Sequence, residues 1–148
     1  MTAQGEDILA YLNSAITARE EAAYAAPRSP WSVRVDDDAV VAPDGVTVAE
    51  AFALSGQQTR VILDLIALHQ PASVLRRCAA DRKLMELHAV VPDHGRFTEG
   101  ECPPGCDGEH TEPPVCFSCR TYAGDPVQAP CATLRGLAEG YGWTEGER

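Results

Sequence analysis

Apolar residues near the N-terminus recur at helical spacing: Ile8, Leu9, Leu12, Ile16 and Ala23 fall three, four or seven residues apart, and alanines fill much of the remainder. The spacing predicts a helix over Glu6–Ala26. Thr2 or Gly5 would open it, Glu6 and Asp7 suit its positive end, and Pro27 and Pro30 stop it. The period then falls to two. Trp31-Ser32-Val33-Arg34-Val35 reads as a strand, Val40-Val41 as a second and Val46-Thr47-Val48 as a third. Acidic Asp36–Asp38 and Pro43-Asp44-Gly45 supply the turns between them. Three short strands in succession predict a small antiparallel meander, with the N-terminal helix covering one face.

Helical spacing returns after an interruption near Ser55-Gly56. Val61, Ile62, Leu65, Ile66 and Leu68 form a dense apolar stripe, which predicts a buried helix ending near Gln70. Pro71 suits the first position of a second helix, where its missing N–H costs nothing. That helix carries Val74, Leu75, Cys78, Met85 and His88 down one side and turns Arg76, Arg77, Arg82 and Lys83 largely elsewhere. From Val91 to Asp107 periodicity disappears among Gly, Pro and acidic residues, the texture of a long loop. Such a loop in a compact domain requires something to pin it. A last short helix is expected from Cys131 to Glu139, with Leu134 and Leu137 inward, Gly140 ending it, and Tyr141 and Trp143 beyond.

Composition narrows the classes. The chain has 148 residues with 45% hydrophobic and 23% charged side chains, which excludes wholesale disorder. No apolar run approaches the ~20 residues of a membrane span, and Met1–Leu9 is acidic where a secretory leader is basic. A cytoplasmic location is therefore expected, and in a reducing compartment six cysteines favour metal over disulfides. The net charge of -10 is unevenly spread: residues 1–50 and 92–148 are acidic, and residues 51–91 are mildly basic. A surface of that sign repels a phosphate backbone, so direct nucleic-acid binding is not expected.

The main chemical signal is Cys116-Phe117-Ser118-Cys119, followed by Cys131. A C-x-x-C turn places two thiolates around one tetrahedral Zn²⁺. Cys131 follows Pro130 and opens the last helix, where free N–H groups stabilise a thiolate. A fourth ligand is open among His88, Cys102, Cys106 and His110. His88 is favoured because it shares a helix side with Cys78 and Met85, and a ligand from that helix would tie the C-terminal segment to the core. Cys106 is next, and Cys78 reads as a small buried hydrophobe. Cys102, Cys106 and His110, with His94, offer a candidate second zinc site.

Two enzymatic patterns fail on spacing. His110-Thr111-Glu112 followed by Cys116 and Cys119 mimics zinc deaminases, but three residues including Pro113-Pro114 separate elements that should begin two distant helices. A thioredoxin-like role for the C-x-x-C lacks a preceding strand and a helix opening at Cys116. There is no phosphate-binding Gly-rich loop and no G-x-S-x-G.

His69-Gln70-Pro71-Ala72-Ser73-Val74-Leu75-Arg76, the run Ala80 to His88, the C-x-x-C and Pro130-Cys131-Ala132-Thr133-Leu134-Arg135 together resemble an uncharacterised family of small actinobacterial and actinophage proteins. In that family a helix ending in histidine, a C-x-x-C and a terminal P-C-x-T-[LV]-R helix recur. The resemblance implies His88, Cys116, Cys119 and Cys131 as the metal quartet and no known activity. A single lysine against 11 arginines agrees with a GC-rich source.

The expected fold class is α+β: an N-terminal helix, a small antiparallel meander, two central helices, and an irregular, zinc-stabilised C-terminal segment with a short final helix. It is read as one domain over 1–148, with a core at 1–90 and a Cys-rich segment at 91–148. The expected function is a structural-zinc protein, without catalytic residues, that binds a protein partner. An acidic phage or mobile-element effector mimicking nucleic-acid charge is the alternative. A zinc enzyme with an open coordination position is the third.

Overall fold

A computed structural model of the chain describes residues 3–93 and 113–144. Its elements run α1 (Ala3–Ala25), β1 (Ser32–Arg34), β2 (Ala39–Val41), β3 (Thr47–Glu50), α2 (Gly56–Leu68), α3 (Pro71–Leu87), β4 (Val90–Val91), β5 (Val115–Arg120), β6 (Pro126–Gln128) and α4 (Ala132–Gly140). The class is α+β, with four helices and two antiparallel three-stranded sheets among the described residues. No helix there is long and apolar enough to cross a membrane.

The chain divides into two compact units: Met1–Ile16 with Asp81–Arg148, and Thr17–Ala80. The divisions fall inside α1 and α3, so each of these helices supplies residues to both units.

In the Thr17–Ala80 unit, β1, β2 and β3 form the meander in sequence order. Val33 pairs with Val40 and Val40 with Ala49, and the register shifts between Val40 and Val41. The turn from β1 closes through Asp38, whose φ of 47° is left-handed, a conformation that Asp tolerates better than most residues. Trp31 is fixed at the sheet's entrance: its N–H donates to Oε1 of Gln70 at 3.2 Å and its indole N–H to the Pro27 carbonyl at 2.9 Å. The Ala72 N–H, near the free amino end of α3, donates to the Ser29 hydroxyl at 3.0 Å.

The helix that packs on this sheet is α2, which corrects the expectation that the N-terminal helix does so. Leu63 is buried with Val40 and Ala51, and Trp31, Val33, Val48, Ile66 and Ala67 surround them. Only a short link separates β3 from α2, so the next helix in sequence folds back onto the sheet. Ser55 caps it, its hydroxyl accepting from the Gln58 N–H at 3.3 Å.

Of the predicted apolar stripe of α2, only Ile66 packs toward the sheet; the other four positions are exposed. The sheet-facing side is Thr59, Leu63, Ile66 and Ala67, whereas Val61, Ile62, Leu65 and Leu68 are exposed. Hydrophobicity alone gave the wrong face; the position of the sheet selects the other one.

In the other unit α1 buries Ile8, Leu12 and Ile16, and α4 buries Leu134, Leu137 and Ala138, at the spacing each helix predicted. The chain expected to be irregular carries the second sheet, in the order β4-β5-β6. Val90 pairs with Cys116 and Val91 with Val115, while β5 meets β6 through Val115–Gln128 and Arg120–Pro126. Tyr141 and Trp143 pack back: the Tyr11 hydroxyl donates to the Tyr141 carbonyl at 2.8 Å, and the Tyr11 and Trp143 rings meet edge-on at 5.0 Å.

Candidate metal centre

His88 follows the last residue of α3 and continues its hydrogen-bond ladder, its N–H donating to the Leu84 carbonyl at 3.0 Å. One residue later the chain becomes sheet: the Ala89 carbonyl accepts from the Phe117 N–H at 2.9 Å. The end of α3 is thereby laid beside the C-x-x-C turn. The Ser118 hydroxyl, between the two cysteines, donates to the Leu87 carbonyl and adds a second tie.

The turn itself is held by the residue after it. Nη1 of Arg120 lies 3.3 Å from the Cys116 carbonyl, 2.9 Å from that of Phe117 and 2.7 Å from that of Cys119. The strand β6 then brings the chain back, and the Ala129 N–H donates to the Pro114 carbonyl at 2.9 Å. Two residues on, Cys131 is the N-cap of α4. Its position is secured by Nε of Arg135, which donates to the Pro130 carbonyl at 3.0 Å.

These connections converge on one point. Sγ of Cys116, Cys119 and Cys131 lie 3.5, 3.4 and 3.6 Å from Nδ1 of His88. The four ligand atoms all fall within 4.8 Å of one another. Hydrogen bonding does not explain this, because a neutral imidazole nitrogen offers a single lone pair and could accept from one thiol. Tetrahedral coordination does. Metal–sulfur bonds of ~2.3 Å and a metal–nitrogen bond of ~2.0–2.1 Å place each sulfur about 3.6 Å from the nitrogen. His88, Cys116, Cys119 and Cys131 are positioned to hold a metal ion.

The model of a family of unknown function, DUF6221, matches residues 5–142, from α1 to just past α4. The chain belongs to that family. No curated protein and no solved structure matches the DUF6221 chain.

The electrostatics of the cluster are those of crowded thiols. Burial, and then the thiols of Cys116 and Cys131, push Cys119 from 9.0 up to about 12. Burial pushes Cys131 the same way, but hydrogen bonds from the Leu134 N–H, the two neighbouring thiols and the Thr133 N–H outweigh it. Cys131 ends below its ordinary value. Those amides are free donors of the first turn of α4, the helix-start effect expected from Pro130-Cys131. Cys116 and Cys131 are buried, and His88 and Cys119 are half-buried.

Of the other metal-capable residues, Cys78 is 1% exposed and lies in the Thr17–Ala80 unit, outside the cluster. His94, Cys102, Cys106 and His110 lie outside the described residues. One premise changes: Cys116 and Cys119 sit within β5 rather than in strandless chain, although no helix opens at Cys116. The supporting roles of Ser118 and Arg120 were not anticipated. An arginine directly after the second cysteine is the one signal that the sequence offered for the latter.

Proposed function

We propose that this DUF6221 chain is a zinc protein whose single ion is structural, held by His88, Cys116, Cys119 and Cys131, and that it works by binding another protein. The near-equal spacing of three sulfurs around one histidine nitrogen carries the zinc reading. A set of three thiolates and one imidazole favours Zn²⁺ over the oxygen-seeking Mg²⁺ and Ca²⁺. Four protein ligands fill a tetrahedron and leave no position for a substrate or an activated water. The ligands come from the end of α3, from β5 and from the start of α4, so one ion would join three separate elements. Structural zinc of this kind supplies ~10–16 kcal/mol of apparent binding energy at neutral pH.

Binding to a protein is supported by what surrounds the cluster. Phe117, between the two cysteines of the turn, is 44% exposed, and Tyr122, between β5 and β6, is fully exposed. Aromatic side chains at the surface are the usual anchors of protein interfaces.

A metal count on the purified chain tests the site. One zinc per chain is expected, lost in His88→Ala and kept in Cys106→Ser; two ions, none, or retention in His88→Ala would overturn it. Chelation should speed hydrogen exchange in β4, β5, β6 and α4 and leave the β1–β3 meander protected. Unchanged exchange after verified removal would sink the structural role.

A further inference from the structure

Val61, Leu65 and Leu68 follow one another at i, i+4 and i+7 along the side of α2 that faces away from its sheet, and they are 62%, 55% and 68% exposed. Ile62 flanks them, and Phe52 and Leu54, just before the helix, are 86% and 101% exposed. An apolar surface of this size is unusual on a monomer. We propose that it is the two-fold interface of a homodimer, in which α2 packs antiparallel against α2 of a second copy. This reading is independent of the metal centre.

Self-complementarity identifies a second copy as the occupant. A two-fold axis crossing α2 beside Ile62 carries Leu65 and Leu68 from the C-terminal half of one helix onto the N-terminal half of the other. There an open cavity of about 520 Å³ is lined by Ala53, Leu54, Gln57, Gln58, Val61 and Ile62. Knobs at one end and a hollow at the other, related through one point, are what an isologous interface requires. Phe52, Leu54, Val61, Ile62, Leu65 and Leu68 together offer the apolar centre that a standard interface of ~800 Å² per partner needs.

Sedimentation velocity on the full chain, with thiols kept reduced, reads the outcome across a micromolar concentration series. A reversible dimer is expected. Leu65→Asp should weaken it at least tenfold, and far-UV circular dichroism should stay unchanged because the position is exposed. Val61→Asp, in the lining of the hollow that receives those leucines, should weaken it likewise. A monomer at every concentration, or a dimer untouched by Leu65→Asp or by Val61→Asp, would overturn the proposal.

Discussion

The hydroxyl of Tyr141 donates a 2.7 Å hydrogen bond to Oδ2 of Asp81, a carboxylate only 1% exposed. Asp81 lies on α3 and opens the segment of the unit that holds the His88/Cys116/Cys119/Cys131 group, and Tyr141 is the C-cap of α4. The Tyr141 carbonyl in turn accepts from the Tyr11 hydroxyl on α1. One tyrosine thus ties α1, α3 and the end of α4 together by polar contacts. A buried carboxylate is tolerable only where such donors reach it.

Tyr141→Phe removes one of those donors while keeping the ring. The expected cost is about 1–3 kcal/mol of unfolding free energy, the range for depriving a buried polar group of a partner. Urea denaturation measures it, and the metal content of the folded variant should match the wild type. A variant as stable as the wild type would show that the remaining partners of Asp81 suffice.

A cysteine in place of His88 can still complete a tetrahedron, whereas an alanine cannot. His88→Cys should retain one metal ion per chain, and cobalt substitution should give stronger sulfur-to-metal bands than the wild type, consistent with a fourth thiolate. His88→Ala should lower metal affinity by more than about 100-fold, since even outer contacts to a ligand are worth 10–100-fold. Equal affinity in the alanine variant would remove His88 from the site.

Much of this arrangement was legible in the sequence, and the failures have physical causes. The α1 positions Ile8, Leu12 and Ile16 and the α4 positions Leu134 and Leu137 are buried as their spacing predicted, because each helix has one apolar face and one choice. The meander was readable because period-two runs and turn residues alternate over a short span. On α2 the same reasoning chose the wrong side. Its more hydrophobic face is exposed, and burial is decided by where β1–β3 lie, a tertiary fact that periodicity does not contain. The sheet β4-β5-β6 escaped notice because its strands are two to six residues long and β4 is separated from β5 by a segment without period. That His88, Cys116, Cys119 and Cys131 come together was readable for the opposite reason: few residue types can ligate a metal, whatever the intervening chain does.

Arg120 holds the C-x-x-C turn through three carbonyls, so its contribution should appear in metal retention rather than in metal identity. Arg120→Ala is expected to weaken zinc binding about 10–100-fold, the usual range for a residue that orients ligands without touching the ion. Arg120→Lys should fall between the two, because an ammonium reaches fewer of the carbonyls than a guanidinium. Competition with a colorimetric chelator reads the affinity directly. Wild-type retention in Arg120→Ala would mean that β4 and β6 alone fix the turn.

Above pH 9 the metal-free and metal-loaded proteins should respond differently to pH. Without metal, Cys119 is held up to about 12 by burial and by its neighbouring thiols, against 9.0 in the unfolded chain. Between those values the unfolded chain binds fewer protons than the folded one, so stability falls as pH rises. Cys131 is shifted downward and acts in the other direction, adding stability as pH approaches 9.0 from below. With metal bound all three sulfurs are thiolates at neutral pH, while the unfolded thiols remain protonated until about 9. Metal-loaded stability should therefore climb with pH to about 9 and then level off, and acid should release the ion as protons compete for the sulfurs. Denaturation midpoints measured from neutral pH to about 11, with zinc in excess or with chelator, separate the two curves. Parallel curves above pH 9 would show that metal is not what holds Cys119 as a thiolate.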